Sequence, residues 1–412
     1  MMQKIYYGWW IVLACFFIAL FVSSIVFFGF TAFFEPLVKE FGWSYTQVSF
    51  AASLRGMEMG LFAPLIGFLV DRFGSRKLIL VGIIITGIGL ICLAFTHSLT
   101  MYYASFILLS FGAGGCASVV TTTAVINWFD KNAGKALGIM SSGFGASGLL
   151  VPVIVWLIDI YDWRIALLLL GVGMWIIGVP LSFIIRNKPE DSIVEDTRKV
   201  NKADFNSLYP PEVPNGELSF REAVKDKTFL YLNFVEAIRM MTLSAVILHI
   251  MPYLGSLGMS RYHTGMIAAA LPLCSIIGRL SFGWLGDTCD KRYIMALSYG
   301  LMSIGMLALC YADRIWGGVY LFLLFFSPGF GGLLVLRSSI IREYYGSKSF
   351  GKMVGILMGF ASIGGIIGPT IAGWTFDTMG SYYLIWMVFC LLTLISGFVI
   401  LCATPPSKHR RN

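Results

Sequence analysis

Gly67-Phe68-Leu69-Val70-Asp71-Arg72-Phe73-Gly74-Ser75-Arg76-Lys77 ends one long apolar run and opens the next, and Gly283-Trp284-Leu285-Gly286-Asp287-Thr288-Cys289-Asp290-Lys291-Arg292 does the same later in the chain. Each copy has a glycine four residues before an aspartate, then a basic end. The glycine lets another helix approach closely. The aspartate suits the positive N-terminus of a neighbouring helix, and the cations suit the anionic inner face of a bilayer. A contact of this kind can lock one state of a gate and release the other.

Composition agrees that the solvent is lipid. The 412 residues are 57% apolar and 13% charged, against about 25% charged in soluble domains. Crossing the hydrocarbon core takes about 20 apolar residues. The sequence predicts twelve spans, at 8–34, 45–70, 78–96, 100–128, 134–158, 163–185, 228–254, 262–286, 293–311, 316–343, 352–375 and 382–402. The first run is too long for a secretory signal and lacks its cleavage site, so it reads as a retained helix. The 8 cysteines and 4 histidines are scattered without a C-x-x-C pair, so neither metal, cofactor nor disulfide is expected. The net charge of +8 comes from cations between spans, a topological pattern rather than a nucleic-acid surface. Lys4, Arg72, Arg76, Lys77, Lys131, Lys135, Lys291, Arg292, Arg342, Lys348, Lys352 and Lys408 fall on one side, which the positive-inside rule makes cytoplasmic together with both termini. The expected location is the cell (inner) membrane.

Residues 187–227 interrupt the pattern with mixed charges and four prolines, Pro189, Pro210, Pro211 and Pro214. They read as a cytoplasmic linker between a six-span half at 1–186 and another at 228–412. A shift of 216 pairs Pro36 with Pro252, Gly42 with Gly258, Gly67 with Gly283, Asp71 with Asp287 and Arg76 with Arg292. A shift of 217 pairs Gly114 with Gly331, Gly134 with Gly351, Lys135 with Lys352, Gly138 with Gly355 and Pro152 with Pro369. Parallel repeats of this kind imply a two-fold axis along the membrane normal, a substrate held between the halves near mid-membrane, and transport by rocking.

The residues Gly67, Asp71, Arg72, Gly74 and Arg76, with Gly283, Asp287 and Arg292 as the second copy, resemble the signature loop of the major facilitator superfamily. That resemblance implies an all-α polytopic membrane protein of twelve helices in two six-helix halves. Tyr7-Gly8-Trp9-Trp10, Trp128-Phe129 with Lys131, Gly134 and Lys135, and Gly278-Arg279-Leu280-Ser281-Phe282-Gly283 resemble motifs of the monocarboxylate transporters and the neighbouring oxalate/formate exchangers. The resemblance implies that Arg279 binds a substrate carboxylate. It also implies proton-coupled symport of L-lactate or pyruvate by alternating access, with an organic anion exchanger as the second reading.

Charge is expensive in a bilayer and faces a cavity or a partner. Arg279 lies eight residues before Asp287, roughly 12 Å into its span at about 1.5 Å per residue. Its planar fork suits a carboxylate; a permanent ion pair is the plainer reading. Glu236 and Arg239 sit at similar depth on the seventh span, either as a structural pair one turn apart or with Glu236 neutralising Arg279 and taking a proton when substrate displaces it. His249 is a second proton candidate, or a packing residue. Arg55 and Glu58 read as a structural pair. Arg337 reads as a snorkelling cation or a partner of Asp287. Phe28, Cys116, Phe144 and Phe360, at middle depth, are candidates to pack a short carbon chain, or are helix packing.

The match to the family is incomplete. Ser275 stands where the animal relatives have an aspartate, and Ala32 lies near the position of their first-helix lysine, so their proton relay does not carry over. The eleventh span has no lysine or arginine between Met353 and Trp374, which favours a substrate with one carboxylate over oxalate. The repeat places Arg279 opposite Ala63, making the site asymmetric. The partners expected are a small monocarboxylate, a proton and the lipid bilayer, with no obligate protein partner. No Walker loop, H-E-x-x-H or nucleophile triad suggests an enzyme, and a channel or a substrate-sensing receptor leaves the duplicated gate motif unexplained.

Overall fold

The computed structural model describes residues 6–61, 66, 69–70, 72–116, 118–129, 133–187, 220–314, 317–345 and 350–405. Among them, eleven helices are long and apolar enough to cross a membrane. The second expected span appears as Tyr45–Leu61, its remainder falling partly outside the described residues, as does most of the 187–227 linker. The first span runs Gly8–Phe41 and the third Ser75–Ala94. The fourth is Leu99–Ile126, the sixth Trp163–Ile184, and the fifth comprises Ala133–Ala146 and Val151–Tyr161. The seventh to twelfth are Lys227–Ser256, Arg261–Thr288, Lys291–Cys310, Gly318–Tyr345, Phe350–Met379 and Tyr383–Leu401.

The repeat is visible in the backbone. Gly42 and Gly258, paired by the sequence offset, both end their helices in the left-handed region, at φ +64° and +82°. Only a residue without Cβ takes that conformation freely, which is why glycine recurs there. Pro36 and Pro252 lie inside the preceding helices at matching positions.

Six crossings bring the sixth span back to the side where the first begins. Tyr7 donates its hydroxyl to the Ile184 carbonyl at 2.8 Å, and Trp128 Nε1 donates to Arg186 O at 2.8 Å. This side is called the linker end here, and the other the far end. Within the C-terminal half the seventh span packs on the eleventh, and the eighth and ninth on the tenth. Across the halves the eleventh packs on the second, the seventh on the first, and the eighth on the fifth.

The first and fifth spans are both broken at mid-membrane. A π-helical turn at Ser23–Phe28 lies against a 3-10 turn at Ser147–Leu150. Irregular backbone is tolerated at this depth only where protein satisfies its polar groups. Here Ser24 donates its hydroxyl to Ser147 O at 2.8 Å, and the eighth span covers the fifth-span break so closely that a Cβ on Gly148 would lie 2.1 Å from Ala269 O.

The far end is sealed by contacts between the halves. Ser44 and Gln47 exchange reciprocal bonds of 3.1 and 3.0 Å at the start of the second span, a capping box. The next free donors, Tyr45 N–H and Thr46 N–H, are taken by the Asp377 carboxylate of the eleventh span at 2.8 Å each. Arg261 lies 2.6 Å from Asp159 and donates to Ala32 O at 2.7 Å. Because hydrogen bonds to charged groups contribute about 1.5–3 kcal/mol, Asp377→Ala should shift the protein toward a far-end-open state. Spin labels at the exposed positions Ile160 and Tyr262 of a cysteine-depleted chain should then gain a longer distance component; an unchanged distribution would contradict the latch.

Candidate functional site: charges in the cleft

Arg279 projects from the side of the eighth span opposite its exposed apolar stripe of Ile277, Leu280 and Trp284, so it faces the protein interior and not lipid. It is partly exposed, and its guanidinium donates across the halves to Ser141 O of the fifth span at 3.4 Å. Its Nε is buried without a partner, and no ion pair engages it among the described residues. An arginine in lipid otherwise finds a carboxylate.

Of the two readings open for Glu236, the structure takes the pair with Arg239, and Glu236 does not neutralise Arg279. Its Oε2 accepts from Arg239 Nε at 2.7 Å, while Oε1 accepts from Arg239 and from Arg337 at 2.5 Å each. Arg337 therefore engages Glu236 on the seventh span, while the side chain of Asp287 lies outside the described residues. The reason is geometric: Arg337 points away from the tenth span's exposed stripe of Tyr320, Leu321, Leu324 and Val335, toward the seventh helix. Glu236 and Arg239 are sealed from solvent, whereas the Arg337 side chain keeps 17% exposure.

His249 is fully buried, at the contact of the halves. Its Nε2 lies 3.0 Å from Pro369 O and 3.0 Å from Ser49 Oγ, and its Nδ1 lies 2.9 Å from the Tyr382 hydroxyl. A carbonyl can only accept, so Nε2 carries the proton and Nδ1 accepts from Tyr382. Sequence reading found His249 but missed Ser49, Tyr382 and Asp377, all brought in by long-range packing.

Of the apolar candidates, Phe28 sits half-buried in the π-helical turn and Phe144 half-buried just before the fifth-span break. Cys116 is fully buried between the third and fourth spans, with its thiol on Gly112 O at 3.4 Å and near Thr86 Oγ1 at 3.9 Å. Phe360 shares the exposed stripe of Ile363, Ile367, Ile371 and Trp374, a lipid-facing side of the eleventh helix, so it does not line the cleft. Arg55 donates to Val26 O and stacks on Phe27 at 4.4 Å, while the Glu58 side chain lies outside the described residues.

At the linker end Gly67 and Asp71 also lie outside the described residues. The third span is capped by Asn187, whose Oδ1 accepts from Arg76 N–H at 3.0 Å. Gly74 holds that turn at φ +81°. The Arg72 guanidinium lies over Phe73 at 5.5 Å and that of Arg76 over Phe183 at 5.3 Å. In the second copy Asp290 caps the following helix, accepting from Arg292 N–H at 2.9 Å and from its guanidinium at 2.6 Å. Arg292 holds the Asp290 carboxyl below the usual carboxylate range. Gly283 faces Val335 of the tenth span.

The Major Facilitator Superfamily profile matches residues 16–260 and 232–412. The chain belongs to the major facilitator superfamily. It is 26% identical over 384 residues to monocarboxylate transporter 13 of Bos taurus, covering 91% of this chain and 84% of that one. It is likewise 26% identical over 417 residues to monocarboxylate transporter 12 of Mus musculus, covering 96% and 85%. An uncharacterized MFS-type transporter, YcxA of Bacillus subtilis, is 24% identical, covering 90% and 89%. Among solved structures, a bacterial homolog of the human lysosomal transporter Spinster, inward-facing and occupied, superposes with a TM-score of 0.76 at 16% identity, covering 97% of each chain. The protein is thus a multi-pass superfamily transporter related to monocarboxylate transporters, and not an enzyme.

Removing one partner of a buried ion pair costs about 3–5 kcal/mol because the other charge is left unpaired. Glu236→Ala, which strands two guanidiniums, should therefore lower thermal stability in detergent far more than Arg337→Gln, which leaves Glu236 with Arg239. Equal losses would refute this hierarchy.

Proposed function

We propose that this superfamily member carries a small monocarboxylate, such as L-lactate or pyruvate, together with a proton, by alternating access. The observation that carries this reading is the Arg279 guanidinium, turned toward the cleft between the halves without a carboxylate partner. A bound carboxylate would complete two charge-assisted bonds there. The named relatives add support, since those transporters are called monocarboxylate transporters. The oxalate/formate exchanger reading needs a second free cation. The eleventh span offers no lysine or arginine between Met353 and Trp374, which favours one carboxylate.

For the proton, His249 is the better candidate than Glu236. Both Glu236 oxygens already accept bonds from the two guanidiniums. His249 joins helices from both halves, and a proton on Nδ1 would require the Tyr382 hydroxyl to turn from donor to acceptor. Titration there would act directly on a contact that must break for the far end to open.

The linker end, rich in Lys and Arg, is assigned to the cytoplasm of a cell membrane. On that assignment, a far end latched by Asp377 and Arg261 supports reading this state as inward-facing.

In proteoliposomes an inward acid gradient should accelerate L-lactate uptake; indifference to the gradient would exclude symport. Arg279→Ala should reduce uptake at least tenfold, the consequence of losing a charge-assisted bond of about 1.5–3 kcal/mol. Normal uptake by that variant would remove Arg279 from the site.

A further inference from the structure

The cluster on the seventh and tenth spans is unbalanced. Among the described residues it contains one carboxylate, Glu236, and two guanidiniums, Arg239 and Arg337. Arg239 NH1 and Arg337 Nε are both buried without acceptors. The other ionisable group packed on the cluster among the described residues, Tyr299 of the ninth span, donates its hydroxyl to Val235 O at 2.8 Å and so acts as a neutral donor. An excess cation in a low-dielectric interior is unfavourable unless an anion joins it.

The two arginines are held differently. Arg239 makes two bonds to Glu236 through Nε and NH2, and its side chain is 1% exposed. Arg337 makes one bond, through NH1, to an oxygen that Arg239 also uses, and it is 17% exposed on the side away from lipid. Arg239 is therefore the fixed partner of Glu236 and Arg337 the exchangeable one.

We propose that Arg337 is a second carboxylate-binding residue, reached from the linker end, which releases Glu236 to take the substrate anion. This rests on the reading of Arg279 as a carboxylate anchor and places a second station in the same half. Before the exchange the cluster carries a net positive charge. After it, Glu236 remains neutralised by Arg239 and Arg337 is neutralised by the substrate, so every charge has a partner. Glu236 needs no proton in this step; it acts as an internal competitor that weakens anion binding and keeps it reversible.

The test is acetate binding to the purified full-length protein in detergent, read by calorimetry at constant ionic strength, with chloride as a competitor. Arg337→Gln should weaken acetate binding about tenfold, equivalent to about 1.4 kcal/mol. Glu236→Gln, which frees Arg337, should tighten it. Arg337→Lys keeps the charge and should bind within about threefold of the wild type, about 0.6 kcal/mol; it carries the test if Glu236→Gln does not fold. The Arg279→Gln variant should retain weak acetate binding that disappears in the Arg279→Gln, Arg337→Gln double variant.

Wild-type affinity in Arg337→Gln, weaker binding in a folded Glu236→Gln, or equal losses in Arg337→Lys and Arg337→Gln would each overturn the second site. So would chloride binding that depends on Arg337 while acetate binding does not. Unchanged binding in Arg279→Gln with a loss in Arg337→Gln would instead overturn only the Arg279 anchor. Absence of saturable acetate binding in the wild type would overturn both.

Discussion

An ionised side chain in a bilayer must find a counter-charge, a dipole or water, and this constraint sorts the arginines of the spans by what they do. Arg239 is satisfied inside one half by two bonds to Glu236. Arg55 is satisfied inside the other half by the Val26 carbonyl and the face of Phe27. These cations tie a helix to its neighbours. Arg279 has a long bond to a carbonyl across the cleft, and Arg337 shares a carboxylate that Arg239 already holds. Within the C-terminal half the degree of satisfaction falls from Arg239 to Arg337 and Arg279, so the cations least compensated by protein are those best placed for a mobile anion.

The same accounting applies to the backbone at the ends of helices. The first donors of the second span are capped partly by its own Ser44 and Gln47 and partly by Asp377 from the other half. The third span takes its cap from Asn187, beyond the sixth, and the ninth takes its cap from Asp290 immediately before it. A cap from within the same half survives rocking; a cap from the opposite half does not. Asp377 consequently gives the far end a polar contact that can be remade each cycle, with water replacing it when the end opens.

The fold was legible because the repeat constrains backbone as well as chemistry. Gly42 and Gly258 recur at one offset because both turns need φ above zero. Arg279 was legible because one charge in an apolar run has few explanations. The Glu236–Arg239 pair was visible as a one-turn spacing, but its third member is 101 residues away, and no periodicity connects them. Cys116 and Phe360 were assigned by depth alone. Azimuth was also available for Phe360, since its spacing to Ile363, Ile367 and Ile371 puts it on their lipid stripe. The caps seen at the loop motifs were not legible for a different reason: a helix start is satisfied by whichever side chain tertiary packing delivers, and Asn187 and Asp290 are delivered here.

Charge compensation also bears on the direction of the cycle. When the cleft closes around a loaded Arg279, the guanidinium and the substrate carboxylate enter the low-dielectric interior as a pair. When it closes empty, the guanidinium enters with only the Ser141 carbonyl, and Glu236 cannot compensate it while Arg239 and Arg337 hold that carboxylate. Desolvating an unpaired charge is the more costly of the two. On the proposed reading, closure of the empty carrier is therefore the slow step, and substrate on the opposite side accelerates turnover by spending less time in that state.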